Sequence, residues 1–289
     1  MTLLYCGVGM SGILAPLLAS SIGQFGWRDT LVFVGVGLWV ITLPLCLVMR
    51  DKPSKYGYLP DGEPATANGL TDSTSLQSPS GIVQQDFISL AAGFAAMAAL
   101  KTRAFWLLAF TFFFQHIATS AVMVHIVLYL ESVRIPTTAA ATTVTGLTLF
   151  SLVGRLGFGF LGDFGNKRYL IAAALAFQTI GLFILSFIDS NRAWLVIAFL
   201  VTYAPGYGGT MPLRPALQAD YFGTRSFGTI LGLMGMISML GGLASPVLAG
   251  WIFDVMGSYR LAWQIFAFTT LPAIPLILLA KHPRSNSDS

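Results

Sequence analysis

The stretch GRLGFGFLGDFGNKR (residues 154–168) sets one carboxylate, Asp163, and three cations, Arg155, Lys167 and Arg168, among glycines between long uncharged runs. An arginine can hold a carboxylate through two parallel hydrogen bonds. An aspartate can accept backbone N–H groups at the positive end of a helix. Further along, Gln115, His116 and His125 share one apolar run and Tyr203 lies in another, and a histidine can carry a proton near neutral pH. HExxH, Gly-x-Ser-x-Gly, a Walker loop and carboxylates inside apolar runs are all missing from the sequence, which argues against an enzyme and against direct drive by ATP. No metal or cofactor is expected.

The elements that must position these side chains are membrane spans. Of 289 residues 55% are hydrophobic and 10% charged, against about 25% charged in a soluble domain. So few charges cannot cover a water-facing surface, and the composition demands an integral membrane protein in a lipid bilayer. The cations, 16 against 12 acids, lie in loops, so nucleic acid is not an expected partner. Cys6 and Cys46 both fall inside apolar runs, and no disulfide framework is implied.

Eight runs lack Asp, Glu, Lys and Arg: 1–27, 31–49, 104–130, 137–154, 169–188, 193–213, 226–253 and 261–280. Each approaches or exceeds the roughly 18–20 residues that cross a hydrocarbon core as helix. The loops after the second, fourth and sixth runs, with the C-terminal tail, carry 12 of the 16 cations. By the positive-inside rule both termini are cytoplasmic, in a bacterial-type inner or plasma membrane. Residues 50–103 are a cytoplasmic linker, rich in Ser, Thr, Gln and Pro in its middle. Within it, 88–100 is too short to span and predicts a helix along the interface, anchored by Lys101 and Arg103.

An internal repeat organises the spans. GILAPLLASSIGQFGWR (12–28) and GGLASPVLAGWIFDVMGSYR (241–260) each place a proline after a glycine-led start, then a glycine and an arginine in a short outer turn. The first pair of spans thus matches the seventh and eighth, a period of six.

With the repeat and the 154–168 loop in hand, the chain resembles the major facilitator superfamily, in the branch of monocarboxylate carriers and oxalate/formate antiporters. RPALQADYFGTRSFGTILG (214–232) and SPVLAGWIFDVMGSYR (245–260) extend the likeness to the last spans. The resemblance implies an all-α integral membrane protein of eight transmembrane helices, spans five to twelve of a twelve-span carrier. Residues 1–49 would be the last two spans of the N-terminal half, 50–103 the linker, 104–281 a complete six-helix C-terminal half, and 282–289 a tail. Alone, such a chain is expected to insert without catalysing coupled transport as a monomer. The implied function is secondary active transport of a small organic anion or monocarboxylate by alternating access, coupled to a proton or an exchanged anion. The alternatives are a carrier for a drug or sugar-type solute, or a non-transporting membrane fragment or sensor.

Residue by residue, the resemblance makes Gly159, Asp163, Gly165, Lys167 and Arg168 a conformational latch on the cytoplasmic side. The loop departs from the usual pattern, because Asp163 is followed by Phe164 and Gly165 where an arginine is usual. Gly157, Gly159 and Gly162 would let helices approach closely. For Lys167 and Arg168, simple anchoring by positive charge is the other reading. Arg155 matches the arginine that contacts substrate carboxylate; read to Leu161, its span places it about 9 Å inside. Its alternative is to snorkel to the headgroups. Ser151 stands where those carriers have an acid. His125, His116, Gln115 and Tyr203 complete the substrate set, with hydrogen-bonded packing as the other reading of each histidine. The histidines are nine residues apart, half a revolution at about 100° per residue, and are expected on opposite faces. Arg214 is expected to anchor its span or to pair with Asp220.

In a background lacking Cys6 and Cys46, single cysteines at Ser54, Gln77 and Ser285 should resist an impermeant thiol reagent applied to intact cells. Labelling of any one of them from outside would overturn the topology.

Overall fold

The computed structural model describes residues 2–48, 96–223 and 226–282, with side chains for 21–47, 97–223 and 226–282. Most of the expected linker, residues 88–95 of the expected interfacial helix and residues 283–289 of the tail lie outside the described residues. Every regular element described is helical. Six stretches are long and apolar enough to cross a membrane: Ser21–Leu47, Arg103–Ser132, Thr137–Phe164, Lys167–Ser186, Phe227–Met256 and Arg260–Leu279.

The chain divides into two compact units, parted after Ile13. The smaller holds most of α1 (Thr2–Val48), which is interrupted at Gly26 with φ 79° and ψ 162°. Only glycine adopts that conformation cheaply, and it places the break slightly before the turn expected at 28–30. All later helices belong to the larger unit.

After α2 (Ala96–Leu100), Thr102 caps α3 (Arg103–Ser132), its hydroxyl accepting from the Phe105 N–H at 3.2 Å. Pro136 opens α4 (Thr137–Phe164), and Asn166 caps α5 (Lys167–Ser186) by accepting from the Arg168 N–H at 3.1 Å. Asp189 caps the short turn Ser190–Arg192 before α6 (Leu195–Phe222). Then follow α7 (Phe227–Met256), α8 (Arg260–Thr270) and α9 (Ala273–Leu279). Pro272 lacks the N–H that would join the last two, but Leu271 and Pro272 keep helical backbone angles and Arg260–Leu279 remains one span-length stretch. Helix α6 falls outside the six apolar stretches because glycines, tyrosines and three prolines (Pro205, Pro212 and Pro215) interrupt its apolar character.

Helix α7 shows how these faces are sorted. Its packed side carries Ser238, Gly241, Ser245 and Ala249, small residues at helical spacing that let α3 come close. Its other side exposes Leu243, Val247 and Trp251, as a lipid-facing surface should. Aromatic residues fill both ends of the bundle: Tyr129, Phe199, Tyr203 and Trp263 in one cluster, Phe105, Phe112 and Phe222 in the other.

Helices α4 and α6 meet almost backbone to backbone. A Cβ on Gly154 would overlap the Pro205 carbonyl, and one on Gly208 would overlap the Ser151 carbonyl. Gly162 lies against Leu213, whereas Gly157 has no described atom within 4 Å of a built Cβ and makes no close approach within this unit.

Gly208→Val should therefore part α4 from α6 and abolish the monodisperse peak in fluorescence-detected size exclusion. Gly232→Ala, at a position with open space around it, should elute like the parent.

Candidate functional site

Helix α6 presents Phe199, Tyr203, Tyr207, Thr210 and Arg214 along one stripe, at steps of three and four residues. Tyr203 stacks between Phe199 at 5.1 Å and Tyr207 at 6.4 Å. Helix α3 runs antiparallel to it and meets the stripe with Phe112, Gln115 and Thr119. The Gln115 amide donates to the Thr210 hydroxyl at 2.6 Å, and that hydroxyl donates to the Tyr207 carbonyl at 2.9 Å. Thr119 donates to the Gln115 carbonyl at 3.0 Å and lies beside the fully buried Tyr203 ring. No hydrogen bond of good geometry reaches the Tyr203 hydroxyl among the described residues.

Arg155 enters this interior from α4. The helix continues to Phe164, nine residues further, so Arg155 sits about 14 Å from its end rather than 9 Å. It is 3% exposed and within electrostatic range of Tyr207. A side chain extended to the headgroups would not be so buried. The tight Gly154–Pro205 and Ser151–Gly208 contacts fix Arg155 at the level of Tyr207.

Arg214 departs from expectation. Its guanidinium donates to Ser238 of α7 at 3.2 Å and lies 4.5 Å over the Phe112 ring. Asp220 instead pairs with Lys167 at 2.6 Å. The run boundary at residue 213 hid the fact that α6 continues to Phe222, which leaves Arg214 about 12 Å inside it. The proximity of Arg214 to Thr210, one helical turn away, was the legible clue.

The two histidines also differ from expectation. Both touch α7: His116 lies against Gly242, where a Cβ would be 2.5 Å from its ring, and His125 contacts the Pro246 carbonyl at 3.0 Å. Half a revolution apart on α3, both nonetheless meet α7, along its stripe of Gly242, Pro246 and Gly250. His116 is within electrostatic range of Arg214. His125 is removed from the α6 stripe and bonds the Tyr259 hydroxyl at 3.2 Å.

At the α4–α5 loop, Asp163 is exposed and makes no hydrogen bond or ion pair among the described residues. Gly159 is buried in α4, while Gly165 ends the helix, its N–H donating to Leu161 at 2.8 Å. Arg168 donates to the Ala280 carbonyl at 3.1 Å and to the Tyr169 hydroxyl at 3.3 Å. A recess of about 370 Å³ lies here, lined by Asn166, Lys167, Arg168, Asp220, Tyr221 and His282. It is an open recess at the helix ends, well away from Arg155. Among the described residues no group of three His, Cys, Asp or Glu could hold a metal.

A profile of the Major Facilitator Superfamily matches residues 1–202 and 108–289. The chain belongs to that superfamily. It is therefore an integral membrane protein of a transporter family, not an enzyme. Monocarboxylate transporter 12 of Rattus norvegicus is 28% identical over 95% of this chain and 59% of its own length. The sialic acid transporter NanX of Escherichia coli is 32% identical over 52% of this chain and 36% of its own. The membrane sensor protein UhpC of Escherichia coli is 24% identical over 84% of this chain and 53% of its own. The chain thus spans less than two thirds of the length of these relatives.

The Gln115–Thr210 bond makes a separable prediction. Thr210→Val strands the buried amide and should cost about 1–3 kcal/mol in unfolding free energy, whereas Gln115→Leu with Thr210→Val removes both partners and should recover most of it. Thermal unfolding in detergent reads both variants; equal losses would show that the bond contributes little.

Proposed function

We propose that this protein works as a secondary carrier that moves a small organic anion, a monocarboxylate in the first instance, by alternating access. The observation that carries the reading is Arg155, buried at 3% exposure about two and a half turns from the end of a helix whose neighbours offer hydroxyl and amide groups. A cation inside a span normally faces a substrate path or cavity, and its planar fork suits a carboxylate. Tyr203, Tyr207, Thr210 and Gln115 line the same interior and would orient the rest of the solute. Similarity to carriers named for monocarboxylates and for sialic acid, itself a carboxylate, supports an acid as substrate.

The remaining assignments follow the same reading. Eight spans with both termini cytoplasmic fit the charge distribution, 1–49 and 104–281 being membrane parts of two halves and 50–103 their linker. Asp163, with Gly159 and Gly165 shaping the loop, latches the cytoplasmic side in one state and opens in the other. Lys167 and Arg168 tie that loop to Asp220 and to Ala280. Coupling runs through a proton or an exchanged anion.

In cells producing the native gene product, Arg155→Ala should abolish uptake of a labelled carboxylate while membrane insertion persists. Arg155→Lys should recover little, because an ammonium cannot make the two-point contact. Near-normal uptake by the alanine variant would remove Arg155 from the site. Uptake of a neutral sugar or a drug that carboxylates fail to compete away would favour the other carriers of the superfamily.

A further inference from the structure

Three side chains of α3 converge on one short segment of α7, and that segment contains a proline. Pro246 lies inside the continuous helix Phe227–Met256. It has no N–H, so the Gly242 carbonyl four residues earlier loses its helical donor. An unsatisfied carbonyl in a bilayer is costly, and the Ser120 hydroxyl donates to this one at 2.7 Å.

One turn further on, His125 takes up the other side of the break. Its Nε2 lies 3.0 Å from the Pro246 carbonyl, which can only accept, so Nε2 carries the hydrogen. Nδ1 is then left to accept from the Tyr259 hydroxyl at 3.2 Å. One neutral tautomer therefore satisfies both contacts and links α3, α7 and the start of α8. The ring of His116 fills the space beside Gly242 that a side chain would need.

We infer that Ser120 and His125 are positioning residues for the transport step: by bonding the Gly242 and Pro246 carbonyls they hold α7 in register against α3 across its proline break. The consequence reaches the site, because α7 supplies the Ser238 hydroxyl that holds Arg214 over Phe112, one turn from Gln115. Loosening the clamp leaves every proposed substrate contact chemically intact and changes how reliably α7 carries its side chains through the cycle. The inference rests on the transport reading only for its effect on rate; the clamp itself can be tested without transport.

Two measurements on Ser120→Ala, Pro246→Ala and the double variant decide it. By hydrogen–deuterium exchange of the purified chain, Ser120→Ala should raise exchange across 242–250 by about tenfold, the equivalent of one lost buried hydrogen bond. Pro246→Ala restores an N–H at that position, so adding Ser120→Ala to it should change nothing further. In uptake by the native gene product, Ser120→Ala should lower Vmax with KM unchanged, and Ser120→Thr, which keeps the hydroxyl, should recover it. Parent-like exchange in Ser120→Ala, or the same increment in both backgrounds, would overturn the clamp. A fall in apparent affinity without loss of Vmax would overturn the positioning role. If Ser120→Ala yields no folded protein, the double variant should fold, and its failure would count against the clamp as well. Absence of transport in every version, with the exchange pattern as expected, would sink the carrier reading and leave the clamp standing.

Discussion

Inside a hydrocarbon layer a backbone carbonyl has no water to fall back on, and that constraint governs this molecule more than any single contact. Inside the helices of the larger unit stand Pro205, Pro212, Pro215 and Pro246. Each removes a donor from its helix. At Pro246 the remedy comes from a neighbouring helix, through Ser120, and at the C-terminal end of α5 the single Tyr129 hydroxyl hydrogen is shared between the Leu185 and Ile188 carbonyls. Breaks in one element are met by polar side chains of another, so secondary and tertiary structure cannot be specified separately here.

The same economy places the charge. Arg155 is fixed because its neighbour Gly154 lies against Pro205 with no room for a side chain. A backbone contact is stiffer than a side-chain contact, so it sets the height at which the arginine enters the interior. Around it the interior offers amides, hydroxyls and aromatic faces, while Glu131, Asp163, Asp189, Asp220 and Asp254 all stand near helix ends. That asymmetry gives the interior of the larger unit a positive character.

Much of the helical layout was legible in the sequence, because apolar runs report spans wherever charge marks their ends. Legibility failed where a charge lies inside a helix. Reading α4 only to Leu161 and ending the sixth run at residue 213 shortened both helices and moved both arginines toward the surface, which is why Arg214 was matched to Asp220 although Lys167 holds that carboxylate. The histidines misled for another reason: angular separation on one helix says nothing about how wide its contact with a neighbour is. The Ser120–Gly242 bond had a local trace only in the GGLASP segment, since a proline predicts an orphaned carbonyl but not which distant hydroxyl will find it. Gln115 and Tyr203 stood out because polar groups in apolar runs are few; in the structure Tyr203 lies on the α6 stripe and Gln115 bonds Thr210 there.

Helix α3 has consequences for biogenesis. Ser120 and Gly242 are 122 residues apart, and Gln115 and Thr210 are 95 apart. At synthesis rates of about 5–20 residues per second, α3 emerges roughly 5–25 seconds before the helices that satisfy its amide, hydroxyl and imidazole groups. Throughout that interval its polar face needs shelter from lipid, which the insertion machinery or an early helix neighbour must supply. The order of the genetic message therefore imposes a waiting period on the very helix that organises the finished interior.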